Sequence, residues 1–278
     1  MSVFSGNGFS FNLGERTYIM GILNYTPDSF SDGGEYFDVR AAVERATLME
    51  TCGADIIDIG ACSTAPGRAK ADEQEELRRI SELLPSVVSA VSVPVSIDTY
   101  RPNIAKYALG CGAKIVNDES GVFSEDMARI VKKADAGWIY MHTGGTNSDE
   151  VSEYDNGIIC AVKSSFLDFI ERAEKFGIDR SRLCMDMGIG FGKTIENNIE
   201  LIKSVKDIKV ENVALLTGLS RKRVIGYITG ESDYKNREAG TIVANTVAIA
   251  GGTDVIRIHD VKSAVSAARA ADKLIRRS

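Results

Sequence analysis

Two aspartates, Asp98 and Asp186, each close a short apolar segment of the sequence. A carboxylate in that position is partly removed from water and needs hydrogen-bond donors. Asn117 and Lys222 follow two other apolar segments, so the four side chains together offer two acceptors, an amide and a cation. This combination suits a flat heterocycle with an amino-imine edge, such as a pterin or a guanine. The alternative is that both aspartates only accept bonds from neighbouring backbone amides, as Asp often does at strand–loop junctions.

Near the C-terminus, Arg257 and His259 are separated by one residue, so both side chains point to the same side of an extended strand. An arginine and a histidine close to a helix N-terminus form an anion site that suits phosphate. Asn24, after the first apolar segment, is a candidate ligand for a divalent cation bound to that phosphate. Mg²⁺ fits this role because it uses few protein ligands together with phosphate oxygens.

Residues 188–194, with the sequence GIGFGKT, lie between a predicted strand and a predicted helix. The ending in Gly-Lys-Thr resembles the phosphate-binding loop of P-loop NTPases, but the first glycine of that pattern is replaced by Met187. The segment also contains Gly-x-Gly, as in dinucleotide-binding folds, although the third glycine is misplaced and no acidic residue ends a strand about 20 positions on. A P-loop NTPase therefore remains an alternative class, which tight Mg-ATP binding with hydrolysis would support.

Short apolar segments alternate with longer amphipathic ones along the whole chain. Predicted strands cover residues 17–23, 55–59, 93–97, 114–116, 137–141, 183–186, 213–216 and 255–258. Predicted helices cover residues 39–51, 72–91, 101–109, 124–133, 158–176, 196–205, 238–250 and 261–275. Eight such units in about 260 residues predict a (β/α)8 TIM barrel. Residues 8–13 are expected to form a short hairpin that plugs the bottom of the barrel, and a doubly wound open sheet is the alternative fold.

In a barrel of this kind, catalytic residues lie at the C-terminal ends of the strands. Each of the eight predicted strands delivers a polar or ionisable residue to that end. Asn, Asp, Ser and Thr also prefer turns and helix N-caps, which is the alternative for any one position. Eight such residues at one rim favour a shared site.

Composition restricts the class of protein. The 278 residues are 44% hydrophobic and 26% charged, which is typical of a globular chain, and we expect one domain over residues 1–278. A net charge of −6 argues against a nucleic-acid-coating protein. No apolar run is long enough for a membrane span, and we see no signal peptide. The five cysteines are odd in number and include no Cys-x-x-Cys pair, so we expect neither a disulfide framework nor a zinc site. This cysteine usage predicts a cytoplasmic location.

Together, these residues resemble dihydropteroate synthases over nearly the whole chain. The matching segments follow the family's order, and the first of them is highly specific. They are residues 20–34 (MGILNYTPDSFSDGG), 55–60 (DIIDIG), 96–99 (SIDT), 115–118 (IVND), 188–191 (GIGF), 220–222 (SRK) and 256–261 (IRIHDV).

The resemblance implies a pterin-binding (β/α)8 barrel that condenses 7,8-dihydropterin-6-ylmethyl diphosphate with p-aminobenzoate and releases diphosphate. It also implies Mg²⁺ on Asn24, closure of the loops at residues 26–34 and 63–70, and a homodimer. The implied pterin ligands are Asp98, Asn117, Asp186 and Lys222. The implied diphosphate ligands are Asn24, Thr64, Arg257 and His259. The implied p-aminobenzoate contacts are Phe191, Ser220 and Lys222.

Two departures from the family pattern bear on activity. The family usually has GESTRPG where residues 61–67 read ACSTAPG, so Ala65 replaces an arginine that would contact an anion, and Arg68 or Lys70 is a candidate substitute. The family's Asp-Pro-Gly also becomes Asp186-Met187-Gly188, which keeps the carboxylate. The alternatives to an active synthase are a pterin-binding paralogue that has lost the condensation and a pterin-dependent methyltransferase on the same barrel.

Overall fold

Eight parallel strands close into a barrel in the order β10-β3-β4-β5-β6-β7-β8-β9, as seen in a computed structural model that describes residues 2–25, 38–62, 71–144 and 151–276. The predicted (β/α)8 barrel is confirmed, and the doubly wound open sheet is wrong. The strands are β1 Val3–Gly6, β2 Phe9–Asn12, β3 Tyr18–Asn24, β4 Ile56–Gly60, β5 Val95–Asp98, β6 Ile115–Asp118, β7 Gly137–Met141, β8 Leu183–Asp186, β9 Ala214–Thr217 and β10 Val255–Ile258.

Helices follow the barrel strands and cover their outer faces. They are α1 Val39–Thr51, α2 Glu73–Ala90, α3 Pro102–Gly110, α4 Glu125–Ala134, α5 Ile158–Phe176, α6 Ile195–Lys203, α7 Val205–Ile208, α8 Arg223–Thr229, α9 Glu238–Ala250 and α10 Val261–Ile275. The helix predicted at residues 196–205 is divided at Ser204, which has a non-helical backbone conformation. The short helix α8 was not predicted, although Gly230 at its C-terminus, with φ of 76°, is a typical end signal.

Several helices begin at a residue whose side chain accepts a hydrogen bond from the backbone amide three positions later. These cap residues are Asp38, Asp72, Ser124, Thr194 and Asp260. Capping is therefore the role of Asp260, one of the polar residues at the predicted rim. The predicted site residues Asp98, Asn117 and Asp186 are the final or penultimate residues of barrel strands.

The N-terminal strands β1 and β2 pair as an antiparallel hairpin, which confirms the predicted plug. The hairpin begins at Val3, earlier than the predicted start. Its aromatic side chains, Phe4, Phe9 and Phe11, form one buried cluster with Tyr18 and the lower interior of the barrel. This end of the barrel is therefore filled with apolar side chains.

Along several strands, the side chains that point into the barrel change from apolar to polar between one inward position and the next, two residues further on. On β4 the inward position passes from Ile56 to Asp58, and on β10 it passes from Val255 to Arg257. The same step occurs on β6, from Ile115 to Asn117, and on β8, from Cys184 to Asp186. Side chains two positions apart share one face of a strand, so the apolar plug supports a polar layer towards the C-terminal ends.

Among the helices of the described residues, none has the length and apolar content needed to cross a membrane. All five cysteines lie within the described ranges, and each is a free thiol.

Candidate active site

At the centre of the polar layer, one guanidinium lies between two carboxylates. Arg257 Nε donates to Asp58 Oδ2 at 2.6 Å, and Arg257 Nη2 donates to Asp98 Oδ2 at 2.5 Å. Asn117 Nδ2 also donates to Asp58 Oδ2, at 3.1 Å. Closure of the barrel brings these four strands together and joins residues that are far apart in the sequence.

This cluster has more buried carboxylates than cations. The second oxygens, Asp58 Oδ1 and Asp98 Oδ1, are buried and accept no hydrogen bond from any described residue. Burial raises the pKa of Asp98 well above its ordinary value, and the negative charges of Glu119 and Asp58 act in the same direction. Burial lowers the pKa of Arg257, but the carboxylates of Asp58 and Asp98 outweigh this and keep it above its ordinary value. The cluster therefore favours a charged arginine and makes Asp98 a weaker acid than an exposed aspartate.

Asn24 lies beside this cluster at the end of β3. The strand register places Asn24 opposite Gly60, and Gly60 opposite Asp98. A Cβ atom at Gly60 would lie 3.6 Å from both Asn24 Oδ1 and Asp98 Oδ2, so the glycine keeps open the space between these two oxygens. Within the described ranges, no group of three His, Cys, Asp or Glu side chains is arranged to hold a metal. A cation held here would depend on Asn24 and on oxygens of a ligand, a donor set that Mg²⁺ accepts.

Asp186 and Lys222 form the second part of the site. Asp186 Oδ1 accepts from the Gly188 amide at 2.8 Å. A Cβ atom at Gly218 would lie 3.8 Å from both Asp186 Oδ2 and Lys222 Nζ, so these two groups border the same space. Burial lowers the pKa of Lys222 to about 8, and the charge of Asp186 opposes this. Burial also raises the pKa of Asp186. The backbone-amide alternative is thus correct for one oxygen of Asp186, while the other borders the same space as Lys222 Nζ.

Lys222 also contacts the loop after β8. Its Nζ donates to the carbonyl of Ile189 and lies 4.8 Å from the ring centroid of Phe191. A cation over an aromatic face is attracted by the ring quadrupole, so the two side chains stabilise one another. Phe191 and Lys222, both predicted at the p-aminobenzoate site, are therefore neighbours.

His259 and Ser220 form a third pair at the same end of the barrel. Ser220 Oγ and His259 Nδ1 are 2.8 Å apart, and the His259 amide also donates to Ser220 Oγ. Burial lowers the pKa of His259 to about 3, and the positive charge of Arg257 adds to this effect. A neutral His259 can offer a hydrogen-bond donor to an anion, but no charge.

The structure brings most of the predicted residues to one end of the barrel but divides them differently. Arg257, predicted to act with His259 on an anion, also forms ion pairs with Asp58 and Asp98 through Nε and Nη2. Neither ion pair involves the third guanidinium nitrogen, Arg257 Nη1. Thr64, Ala65, Arg68 and Lys70 lie outside the described residues, as do residues 26–34.

Asp58 is the residue that the sequence analysis missed. It lies in the middle of an apolar strand segment and is fully buried, yet it contacts both Arg257 and Asn117. The signal was available in the sequence, since a charged residue inside a buried strand must find a partner.

The glycine-rich loop after β8 does not have the contacts of a P-loop. Lys193 Nζ donates to the backbone carbonyls of His142, Gly188 and Phe191, at 3.1, 2.9 and 3.0 Å. Thr194 caps α6 by accepting from the Asn197 amide. The lysine and hydroxyl that would bind phosphate and Mg²⁺ in a P-loop NTPase are thus already used by the protein, and that alternative is wrong.

A closed (β/α)8 barrel with buried aspartates, an asparagine and a lysine at its mouth defines a barrel enzyme for a small polar ligand. Residues 20–259 match the family model described as "Pterin binding enzyme". The chain therefore belongs to the pterin-binding enzyme family, and the relatives that it matches over nearly their whole length include dihydropteroate synthases. The enzyme of that name from Synechocystis is 40% identical over 268 residues, which cover 96% of this chain and 93% of the relative.

Two solved structures show the same architecture. Dihydropteroate synthase from Clostridium difficile, crystallised in the presence of pteroic acid, has a TM-score of 0.89 and 40% identity, covering 96% of this chain and 100% of its own. The enzyme from Xanthomonas albilineans with 4-aminobenzoic acid has a TM-score of 0.91 and 34% identity, covering 99% and 98%.

Proposed function

We propose that this chain condenses 7,8-dihydropterin-6-ylmethyl diphosphate with p-aminobenzoate to give 7,8-dihydropteroate and diphosphate. The bond between the pterin methylene and the diphosphate oxygen breaks, and the arylamine nitrogen bonds to that methylene and loses a proton. The observation that carries the proposal is the set of polar side chains at one end of the barrel, in which Asn117 and Asp186 are buried and Asp98 is largely buried. The relatives crystallised with pteroic acid and with 4-aminobenzoic acid support the same chemistry.

At the pterin end, the proposed ligands are Asp98, Asn117, Asp186 and Lys222. Asp98 Oδ1 has no partner among the described residues, so it is available to accept a hydrogen bond from a ring N–H. Asp186 Oδ2, beside Lys222, supplies a second acceptor for the amino-imine edge. Buried, unpaired acceptors of this kind reject ligands that lack the matching donors, which gives selectivity.

At the diphosphate end, the proposed ligands are Asn24, Thr64, Arg257 and His259. Asn24 would hold Mg²⁺, which would neutralise charge that builds up on the departing diphosphate. Arg257 would add one donor through Nη1, and neutral His259 would add another. Groups that bind the diphosphate more strongly as it leaves lower the barrier.

At the arylamine end, Phe191, Ser220 and Lys222 are the proposed contacts. The pterin methylene is a stabilised cation once diphosphate leaves, and p-aminobenzoate is a neutral nucleophile that mainly needs to be positioned. The mechanism therefore requires no activated nucleophile from the protein.

The test of this proposal is the release of diphosphate by the purified protein with both substrates and Mg²⁺. We expect release that depends on p-aminobenzoate and is saturable in both substrates. Tight pterin binding without such release would identify the chain as the non-catalytic paralogue. Transfer of a methyl group from a methylated pterin would identify the methyltransferase instead.

The diphosphate assignment is tested separately with two ligands. Replacing Arg257 by Ala should weaken binding of the dihydropterin diphosphate far more than binding of the same pterin without phosphate, because only the first ligand needs an anion site. Calorimetry measures both affinities. Equal losses for the two ligands would place Arg257 at the pterin ring.

We further propose a homodimer formed through α8 and α9. These neighbouring helices expose large apolar side chains, including Tyr227, Ile228 and Val243. A patch of this kind on a globular protein often marks an interface. Sedimentation velocity should give twice the chain mass, and Val243→Glu should give the monomer.

We also propose one domain over residues 1–278. We propose a cytoplasmic location as well, which the five free thiols support.

A further inference from the structure

Lys193 is a buried lysine with no part in the mechanism proposed above. Its side chain is only 6% exposed, and its Nζ donates to three backbone carbonyls. An ammonium group has three N–H donors and no acceptor. Lys193 therefore uses its full donor capacity on the main chain, at the point where the loop after β8 meets the end of β7.

The three carbonyls belong to the segments that border the site. The His142 amide donates to the Asp186 carbonyl at 2.9 Å, which ties the end of β7 to the end of β8. Gly188 packs so closely against His142 that a Cβ atom on it would lie 1.9 Å from the His142 carbonyl oxygen. Phe191 carries the ring that lies under Lys222. Lys193 thus joins Gly188, at the start of the loop, to Phe191, whose ring contacts Lys222.

Other hydrogen bonds also hold the loop: the Gly188 amide donates to Asp186 Oδ1, the Phe191 amide donates to the Gly188 carbonyl, and Tyr154 Oη donates to the Gly192 carbonyl. Lys193 is the side chain that joins Gly188 and Phe191 to His142. Gly188, Gly190 and Gly192 all have positive φ, at 65°, 85° and 61°, a region that glycine enters freely and leaves as freely. On its other side, Asn198 Oδ1 accepts from the Gly190 amide at 2.8 Å. The Ile189 carbonyl, which accepts from Lys222, lies between these two tethers.

We propose that Lys193 is a positioning residue for the arylamine half of the reaction. It orders the loop so that the Phe191 ring and the Ile189 carbonyl hold Lys222 at the p-aminobenzoate site. The proposal rests on the proposed function and deepens it. Of the four proposed pterin ligands, Asp98 and Asn117 lie on β5 and β6, away from this loop, while Asp186 and Lys222 border it. The pterin half of the site therefore depends on Lys193 less than the arylamine half does.

Opposing effects act on the charge of Lys193. Burial lowers the pKa of Lys193 to about 7, and the charge of Lys222 acts in the same direction, while Asp186 raises it. Three carbonyl oxygens favour the ammonium form through charge-assisted hydrogen bonds. A neutral side chain of the same length cannot make these bonds.

The test compares Lys193→Met with the matched control Lys209→Met. Lys209 also donates to a backbone carbonyl, that of Gly252, and to Asp254, but it lies at the opposite end of the barrel. For Lys193→Met we expect the KM for p-aminobenzoate to rise about tenfold while the KM for the pterin diphosphate changes less than about threefold. For Lys209→Met we expect both KM values to stay at the wild-type level.

A double-mutant cycle with Phe191→Ala shows whether the lysine acts through that ring. If it does, the double variant should have a KM for p-aminobenzoate close to that of Phe191→Ala alone. Additive effects, or equal changes in both KM values, would overturn the proposal. Lys193→Gln, which keeps an amide donor, replaces the Met variant if the latter does not fold. Diphosphate release by the wild-type protein is measured before any variant is made. A wild-type protein that releases no diphosphate would contradict the proposed function itself, independently of the role of Lys193.

Discussion

Asp58 and Arg257 form a largely buried ion pair between β4 and β10, with Asp58 Oδ2 2.6 Å from Arg257 Nε. Asp58 is completely buried on β4, and Arg257 lies on β10, the last strand of the chain. The same guanidinium also binds Asp98 on β5. This pair links the strands near the closure of the barrel and sets the direction of the arginine in the polar layer.

Replacing Asp58 by Ala should destabilise the protein by about 3–5 kcal/mol, because the Arg257 guanidinium loses one of its two carboxylates and the Asn117 amide loses its acceptor. Urea unfolding measures the loss. Glu44→Ala is the control, since Glu44 pairs with Arg40 on the surface of α1 and should cost less than about 1 kcal/mol. A loss below about 1 kcal/mol for Asp58→Ala would show that Asp98 alone satisfies the arginine.

Replacing Asp186 by Ala should weaken pterin binding by about 100-fold or more, because a buried charged acceptor is lost at the amino-imine edge. Calorimetry with a non-phosphorylated pterin gives the affinity directly. Asp118→Asn is the matched control, because Asp118 is equally buried but bonds to the Ser120 amide and the indole of Trp138. Pterin affinity that stays at the wild-type value in Asp186→Ala would remove this residue from the site.

Replacing Gly188 by Ala should cost more than its backbone conformation alone explains. The new Cβ atom would lie 1.9 Å from the His142 carbonyl oxygen, and the residue has φ of 65°. Gly230→Ala isolates the conformational cost, because Gly230 has φ of 76° and open space around the Cβ position. We expect Gly188→Ala to lower the free energy of unfolding by about 2 kcal/mol more than the control. Equal losses in the two variants would mean that the loop moves aside without strain.

Replacing His142 by Gln should make stability less sensitive to acid. Burial lowers the pKa of His142 from 6.5 to about 3, and the charge of Lys193 adds to this effect. Below pH 6.5 the unfolded chain therefore binds a proton that the folded protein refuses, so this group's contribution is full above pH 6.5 and is lost as the pH falls towards 3.

The slope of wild-type stability between pH 6 and pH 4 should exceed that of His142→Gln by about 1 kcal/mol per pH unit. Urea unfolding of both proteins at each pH measures the two slopes. Parallel curves would show that His142 takes up its proton in the folded state.

The alternation of apolar and amphipathic segments was sufficient to predict the barrel. α1, α5, α9 and α10 begin and end at the predicted residues, because their apolar spacing and end signals are local. Ser204 and α8 were missed, since short helices depend on tertiary packing more than on propensity. The polar residues at the strand ends were predicted for the same local reason.

The partners of those polar residues could only come from the folded structure. The sequence places Arg257 next to His259, and local spacing suggested that they act together. In the barrel, Arg257 turns to Asp58 and Asp98, because closure puts β10 near β4 and β5 and a buried guanidinium binds the nearest carboxylates. Lys193 likewise reads as part of a phosphate loop until the carbonyls of two separate loops are seen around it. Local spacing decides which face a side chain occupies, whereas the long-range contacts of the closed barrel decide which charges meet there.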